Sequence, residues 1–91
     1  MKETVVEQRL KTKVERIGGL CLKWGSGWPG AMDRIIFLGD GIVHFVETKS
    51  PGKELRLLQK KRRKTLEALG CKVYRIRTLQ EVDDYIKECM T

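Results

Sequence analysis

Apolar positions recur along this chain first at a helical period and then at a strand period, and the changes of period mark out its elements. Val6, Leu10, Val14 and Ile17 follow one another at steps of four and three, the stripe of an amphipathic helix, so a helix is predicted over 4–17. Thr4 with Glu7 three residues on matches a capping box, and Gly18-Gly19 ends the helix. A short strand is predicted over 20–24, followed by a glycine-rich loop over 25–32 that carries Trp28-Pro29-Gly30. Residues 33–38 and 42–49 are two β-rich runs joined by Gly39-Asp40-Gly41, a hairpin signal. Their nearly continuous apolar character predicts central strands covered on both faces. Ser50-Pro51-Gly52 breaks the chain. A second helix follows over 55–69, with Leu55, Leu58, Leu66 and Leu69 on its inner side and Gly70 as C-cap. A strand over 71–77 leads to Thr78 and Glu81, a second capping-box pair. The final helix buries Val82, Tyr85, Ile86 and Cys89. The order α-β-β-β-α-β-α predicts a single α/β domain over 1–91 around a small mixed sheet.

The length of 91 residues leaves room for one modest core. A net charge of +7 favours a polyanionic partner, nucleic acid before an acidic membrane surface. Cys21, Cys71 and Cys89 are far apart and odd in number, and His44 is the single histidine, which argues against a zinc site and for reduced thiols in a cytosol. No apolar run reaches membrane-spanning length, and Met1-Lys2-Glu3 does not resemble a signal peptide.

The candidate chemistry lies at the end of the second hairpin strand. A period of two places Glu47 and Lys49 on one face, and charges are seldom buried there unless paired or bound to a metal. If Gly39-Asp40-Gly41 is a three-residue loop, Leu38 faces Ile42 and Asp33 falls opposite Glu47. Opposed carboxylates at that spacing can share one divalent cation. Without it they repel, and one tends to hold a proton. Oxygen donors with no histidine or cysteine beside them favour Mg²⁺ or Mn²⁺. Lys49 would orient a water or stabilise charge on a phosphate. The plainer alternative is a Glu47–Lys49 surface ion pair.

These residues resemble the PD-(D/E)xK nuclease superfamily and, more closely, its VRR-NUC family of virus-type replication-repair nucleases in their short stand-alone phage form. The resemblance runs through Glu7, Pro29-Gly30-Ala31-Met32-Asp33-Arg34, Phe45-Val46-Glu47-Thr48-Lys49, Gln59, and the segment from Leu66 to Tyr74. It departs where the family often has proline before the aspartate and this chain has Met32. The resemblance implies a restriction-endonuclease-like core in which Asp33 and Glu47 bind metal and Lys49 is catalytic. It further implies that Thr48 offers its backbone carbonyl to the metal, that Glu7 completes the site directly or through water, and that Gln59 positions the site or substrate. Glu7 as a helix cap and Gln59 as a surface residue are the competing readings.

Lys60-Lys61-Arg62-Arg63-Lys64, preceded by Lys53 and Arg56, is the densest positive region. Lys53, Arg56, Lys60, Arg63 and Lys64 are the expected DNA contacts, to phosphates rather than bases; a solvated helix face is the alternative. Lys23 and Arg34 flank the glycine loop as further phosphate contacts or ordinary surface charges. Trp24 and Trp28 would stack on an unpaired base, pack in the core or meet a dimer partner. His44 faces away from Glu47 and is expected to be structural. The expected function is a Mg²⁺- or Mn²⁺-dependent DNA endonuclease, and the resemblance to the family implies that it acts on branched DNA such as four-way junctions or flaps, as a homodimer, in the cytoplasm of a phage-infected or bacterial cell. A generic duplex nuclease, a non-catalytic DNA-binding module and a small interaction protein are the alternatives.

Overall fold

A computed structural model of the protein describes residues 3–48 and 57–91. Helix α1 spans Glu3–Arg16, followed by strands β1 Leu20–Lys23, β2 Arg34–Phe37 and β3 Val43–Thr48, helix α2 Leu57–Ala68, strand β4 Lys72–Ile76 and helix α3 Leu79–Cys89. This is the expected order α-β-β-β-α-β-α. Lys49, Ser50-Pro51-Gly52, Lys53, Leu55 and Arg56 lie outside the described residues.

The four strands stand in the order β1-β2-β3-β4. The first three are antiparallel neighbours, and β3 and β4 are parallel, so the sheet is mixed. The hairpin register matches the counted one: Phe37 pairs with Val43 and Arg34 with Val46, which extends to Leu38 opposite Ile42 and Asp33 opposite Glu47. The Leu38 amide donates to the Ile42 carbonyl at 2.8 Å. The loop between them is a single 3₁₀ turn, Gly39–Gly41, with Asp40 at φ 62°. Aspartate tolerates this left-handed conformation better than most residues with a Cβ.

Alternation divides the sheet into two faces. Cys21, Ile36 and Val46 meet Val6, Leu10 and Val14 of α1 and Val82, Tyr85 and Ile86 of α3 in the main core. The opposite face carries a smaller cluster of Met32, Leu66 and Val73 with Trp24, Trp28 and Phe45. Helix α2 lies over β4 on that side. The outer face of β1 and β2 is therefore not covered by a helix among the described residues, contrary to the expectation for the hairpin strands. Leu20 is 54% and Leu22 46% exposed there.

The inner side of α2 also differs from the leucine pattern. Leu66 is buried, but Leu69 is 77% exposed and Leu58 only half covered. The side turned inward runs through Gln59, Arg62, Arg63 and Leu66, at steps of three and four. The reason is that these polar side chains find fixed partners. Arg62 Nε donates to the Pro29 carbonyl at 2.9 Å and its guanidinium lies 4.6 Å from the Trp28 ring centre. Arg63 Nη2 donates to the Val73 carbonyl at 3.0 Å. Gly30 makes the approach possible: its φ is +79°, and a Cβ there would sit 2.5 Å from Leu58 Cγ. At the far end of the chain Thr78 caps α3, its hydroxyl accepting from the Glu81 amide at 3.0 Å, while the Glu81 carboxylate accepts from the Arg77 amide at 2.8 Å. The Thr4–Glu7 capping box does not form, because Thr4 is already inside α1 and Glu7 has other partners.

Candidate active site

Alternation along β3 sends Thr48 and Glu47 to opposite faces at the strand end, and both are buried, with 1% and 4% exposed. Asp33 stands just before β2 and reaches across to Thr48. The Thr48 amide donates to Asp33 Oδ1 at 3.2 Å, and the Thr48 hydroxyl lies 2.8 Å from Asp33 Oδ2. The same hydroxyl is 2.8 Å from Glu7 Oε1, one turn inside α1. Glu7 Oε2 in turn accepts from Arg34 Nη2 at 3.1 Å, and the Arg34 side chain is only 11% exposed. Around the strand end, Gln59 Nε2 of α2 donates to Glu47 Oε1 at 2.8 Å. Glu7, Asp33, Glu47, Thr48 and Gln59 are thus brought together from three elements and one loop. Lys49 follows Thr48 in the chain and lies outside the described residues.

The electrostatics follow from this crowding. Burial, then the nearby charge of Glu47, push the Asp33 carboxyl up to about 7. For Glu7, burial opposes ionisation, but hydrogen bonds from Thr48 and Arg34 outweigh it and hold the carboxyl below its ordinary value. One hydroxyl proton cannot serve two carboxylates at 2.8 Å simultaneously. A proton on Asp33 and an ionised Glu7 satisfy all three groups.

The donor set suits a hard divalent cation: the Asp33 and Glu47 carboxylates and the Thr48 backbone carbonyl are all oxygens. An ion there would replace the proton that Asp33 otherwise retains. Among the described residues no three histidine, cysteine, aspartate or glutamate side chains are grouped closely enough to hold one ion. Glu7, with both oxygens engaged, would need to leave Arg34 or act through a water.

The expected basic face is only partly free. Lys60 and Lys64 are exposed, as is Lys61, and with Arg75 they line a groove of about 560 Å³ between α2 and β4. Arg63 borders the same groove, but its guanidinium is held by Val73 and by Glu67 at 3.4 Å. Lys53 and Arg56 lie outside the described residues. Trp24 packs against Phe45 with ring centres 4.8 Å apart and planes tilted by 44°, and Trp28 lies under Arg62, so each tryptophan already has a partner within the chain. His44 is buried on the face away from Glu47, and its Nδ1 is 2.8 Å from the Tyr85 hydroxyl.

No family model matches the sequence. Individual relatives do. The chain is 36% identical over 74 residues, 80% of its own length and 80% of the relative's, to the protein named "Putative nuclease p44" of Acyrthosiphon pisum secondary endosymbiont phage 1. It superposes on a solved VRR_NUC domain with a TM-score of 0.84 and 27% identity, covering 93% of this chain and 94% of that one. The chain belongs to the VRR-NUC family. Within this VRR-NUC fold, the sequence reading missed Arg34 as a partner of Glu7, and the Thr48 side chain. The signal was present: alternation puts Arg34 on the core face with Ile36, and a cation there requires a carboxylate.

Proposed function

We propose that this VRR-NUC protein is a metal-dependent endonuclease that hydrolyses phosphodiester bonds in DNA, selectively on branched structures such as four-way junctions or flaps. The observation that carries the reading is the convergence of Asp33, Glu47 and Thr48 at the strand end, where burial first and the charge of Glu47 second push the Asp33 carboxyl up to about 7. Asp33, Glu47 and the Thr48 carbonyl would hold Mg²⁺ or Mn²⁺. When bound, the ion polarises the phosphoryl oxygen and lowers the pKa of water. The chain's own residues do the positioning. Gln59 fixes Glu47 by its hydrogen bond. The Thr48 hydroxyl fixes Asp33 against Glu7, and Arg34 holds Glu7. Lys49, in the E-x-K pattern, takes the role of stabilising charge on the phosphate.

Lys60, Lys61, Lys64 and Arg75 form a positive groove suited to a DNA backbone. Selectivity for structure over sequence is supported by cations suited to phosphates rather than to base edges. A homodimer is supported by the bare apolar face of β1 and β2, where Leu20, Leu22 and Phe37 are exposed. A site in the cytoplasm of a phage-infected or bacterial cell is supported by the phage relative and by three free cysteines. No helix among the described residues is long and apolar enough to cross a membrane. The test is cleavage of labelled junction, flap and duplex DNA with Mg²⁺, Mn²⁺ or EDTA.

A further inference from the structure

Beside the carboxylates, on the side away from α2, lies a pocket of about 360 Å³ lined by Glu7, Lys23, Trp24, Gly25, Asp33 and Arg34. Lys23 and Arg34 are cross-strand partners in the β1–β2 ladder, so their side chains share a face. Directly opposed like charges destabilise a sheet. Arg34 is compensated by Glu7. Lys23 is exposed and makes no ion pair among the described residues. The next residue, Trp24, continues the ladder by donating its amide to the Asp33 carbonyl at 3.0 Å, which ties the pocket wall to the catalytic carboxylate. Gly25 leaves the mouth open, since a Cβ there would meet nothing within 4 Å.

An exposed ammonium without an ion-pair partner among the described residues, opposite the Glu7-bound Arg34 guanidinium at the rim of a pocket that Glu7 and Asp33 also line, is placed to take an anion. We propose that Lys23 is a substrate-positioning residue that holds a backbone phosphate of the cleaved strand, so that this strand enters past β1 while the positive groove of α2 takes the duplex on the opposite side of the site. The inference rests on the nuclease reading for the identity of its anion as a phosphodiester. A lysine on an edge strand can also act only to discourage edge-to-edge pairing, and that role would leave DNA binding untouched.

The experiment compares the full chain with Lys23→Ala, Lys23→Glu, Lys23→Arg and, as a control on α3, Lys87→Ala. Dissociation constants for a labelled four-way junction are measured in EDTA across a salt series, KM and kcat are measured with Mn²⁺, and Mn²⁺ binding is measured without DNA. Lys23→Ala should raise KM about fivefold with kcat nearly unchanged, and lower the salt slope of binding by about one. Lys23→Glu should weaken binding further and Lys23→Arg should restore it, with Mn²⁺ binding equal throughout. Wild-type protein that does not cleave, with the Lys23-dependent salt slope present, would sink the nuclease reading and still support a phosphate contact. Lys23→Ala and Lys23→Glu with wild-type salt slopes and KM would overturn the proposal, as would an equal loss in Lys87→Ala.

Discussion

Replacing Asp33 with asparagine should stabilise the metal-free protein at neutral and alkaline pH while abolishing cleavage. The carboxyl is raised from 3.8 to about 7 by burial and by Glu47. Below 3.8 the proton is bound in both the folded and unfolded chain. Between 3.8 and about 7 the folded chain keeps a proton that the unfolded chain has released, so wild-type stability falls as pH rises. Above about 7 the loss is complete. That gap corresponds to a ceiling of about 4 kcal/mol at ~1.36 kcal/mol per pH unit. Asp33 borders two open pockets, and solvent screening brings the expected figure to about 2 kcal/mol. Asparagine does not titrate, and its amide can donate to the Thr48 hydroxyl, which then donates to Glu7. Thermal unfolding in EDTA should therefore show Asp33→Asn gaining on wild type from pH 4 to pH 8, by about 10 °C in Tm at the upper end. Adding Mn²⁺ at pH 8 should raise the wild-type Tm and leave the variant unmoved. A Tm difference that is flat with pH, or wild type gaining on the variant as pH rises, would refute the charge crowding inferred at this site.

Three further outcomes follow from named contacts. Tyr85→Phe removes the partner of His44 Nδ1 and should cost about 1 kcal/mol in urea unfolding, with DNA cleavage by the folded protein unchanged. Gly30→Ala places a Cβ against Leu58 at a positive φ and should destabilise by about 1–3 kcal/mol, measured the same way. Lys60→Ala with Lys64→Ala removes two exposed cations of the α2 groove and should lower the salt slope of duplex binding by about two, read by fluorescence anisotropy.

Much of this molecule is legible in the chain because its signals are local. The step of four and three in α1, the Thr78–Glu81 pair and the three-residue turn each fix an element without knowledge of the rest. The turn also fixes the register, and the register brings Asp33 opposite Glu47. What could not be read depends on contacts between distant segments. Leucine spacing in α2 pointed to an inner side that includes Leu69. The helix instead turns Arg62 and Arg63 inward, because carbonyls of Pro29 and Val73 and the Trp28 ring wait for them. Glu7 matched a capping pattern, yet its carboxylate belongs to Thr48 and Arg34, both far along the chain. The E-x-K pattern draws attention to the strand end, but it carries no information on the Thr48 hydroxyl, which joins the carboxylates of Glu7 and Asp33.

Cleavage tests the central claim most directly. Labelled four-way junction, 5′-flap and linear duplex DNA are incubated with Mg²⁺, Mn²⁺ or EDTA and wild type, Asp33→Ala or Lys49→Ala protein. The account predicts metal-dependent cutting of branched DNA by wild type, lost by at least ~10²-fold in kcat in both variants, with binding retained. Intact DNA in every wild-type reaction, alongside tight binding, would contradict it and leave a DNA-binding module on a nuclease fold.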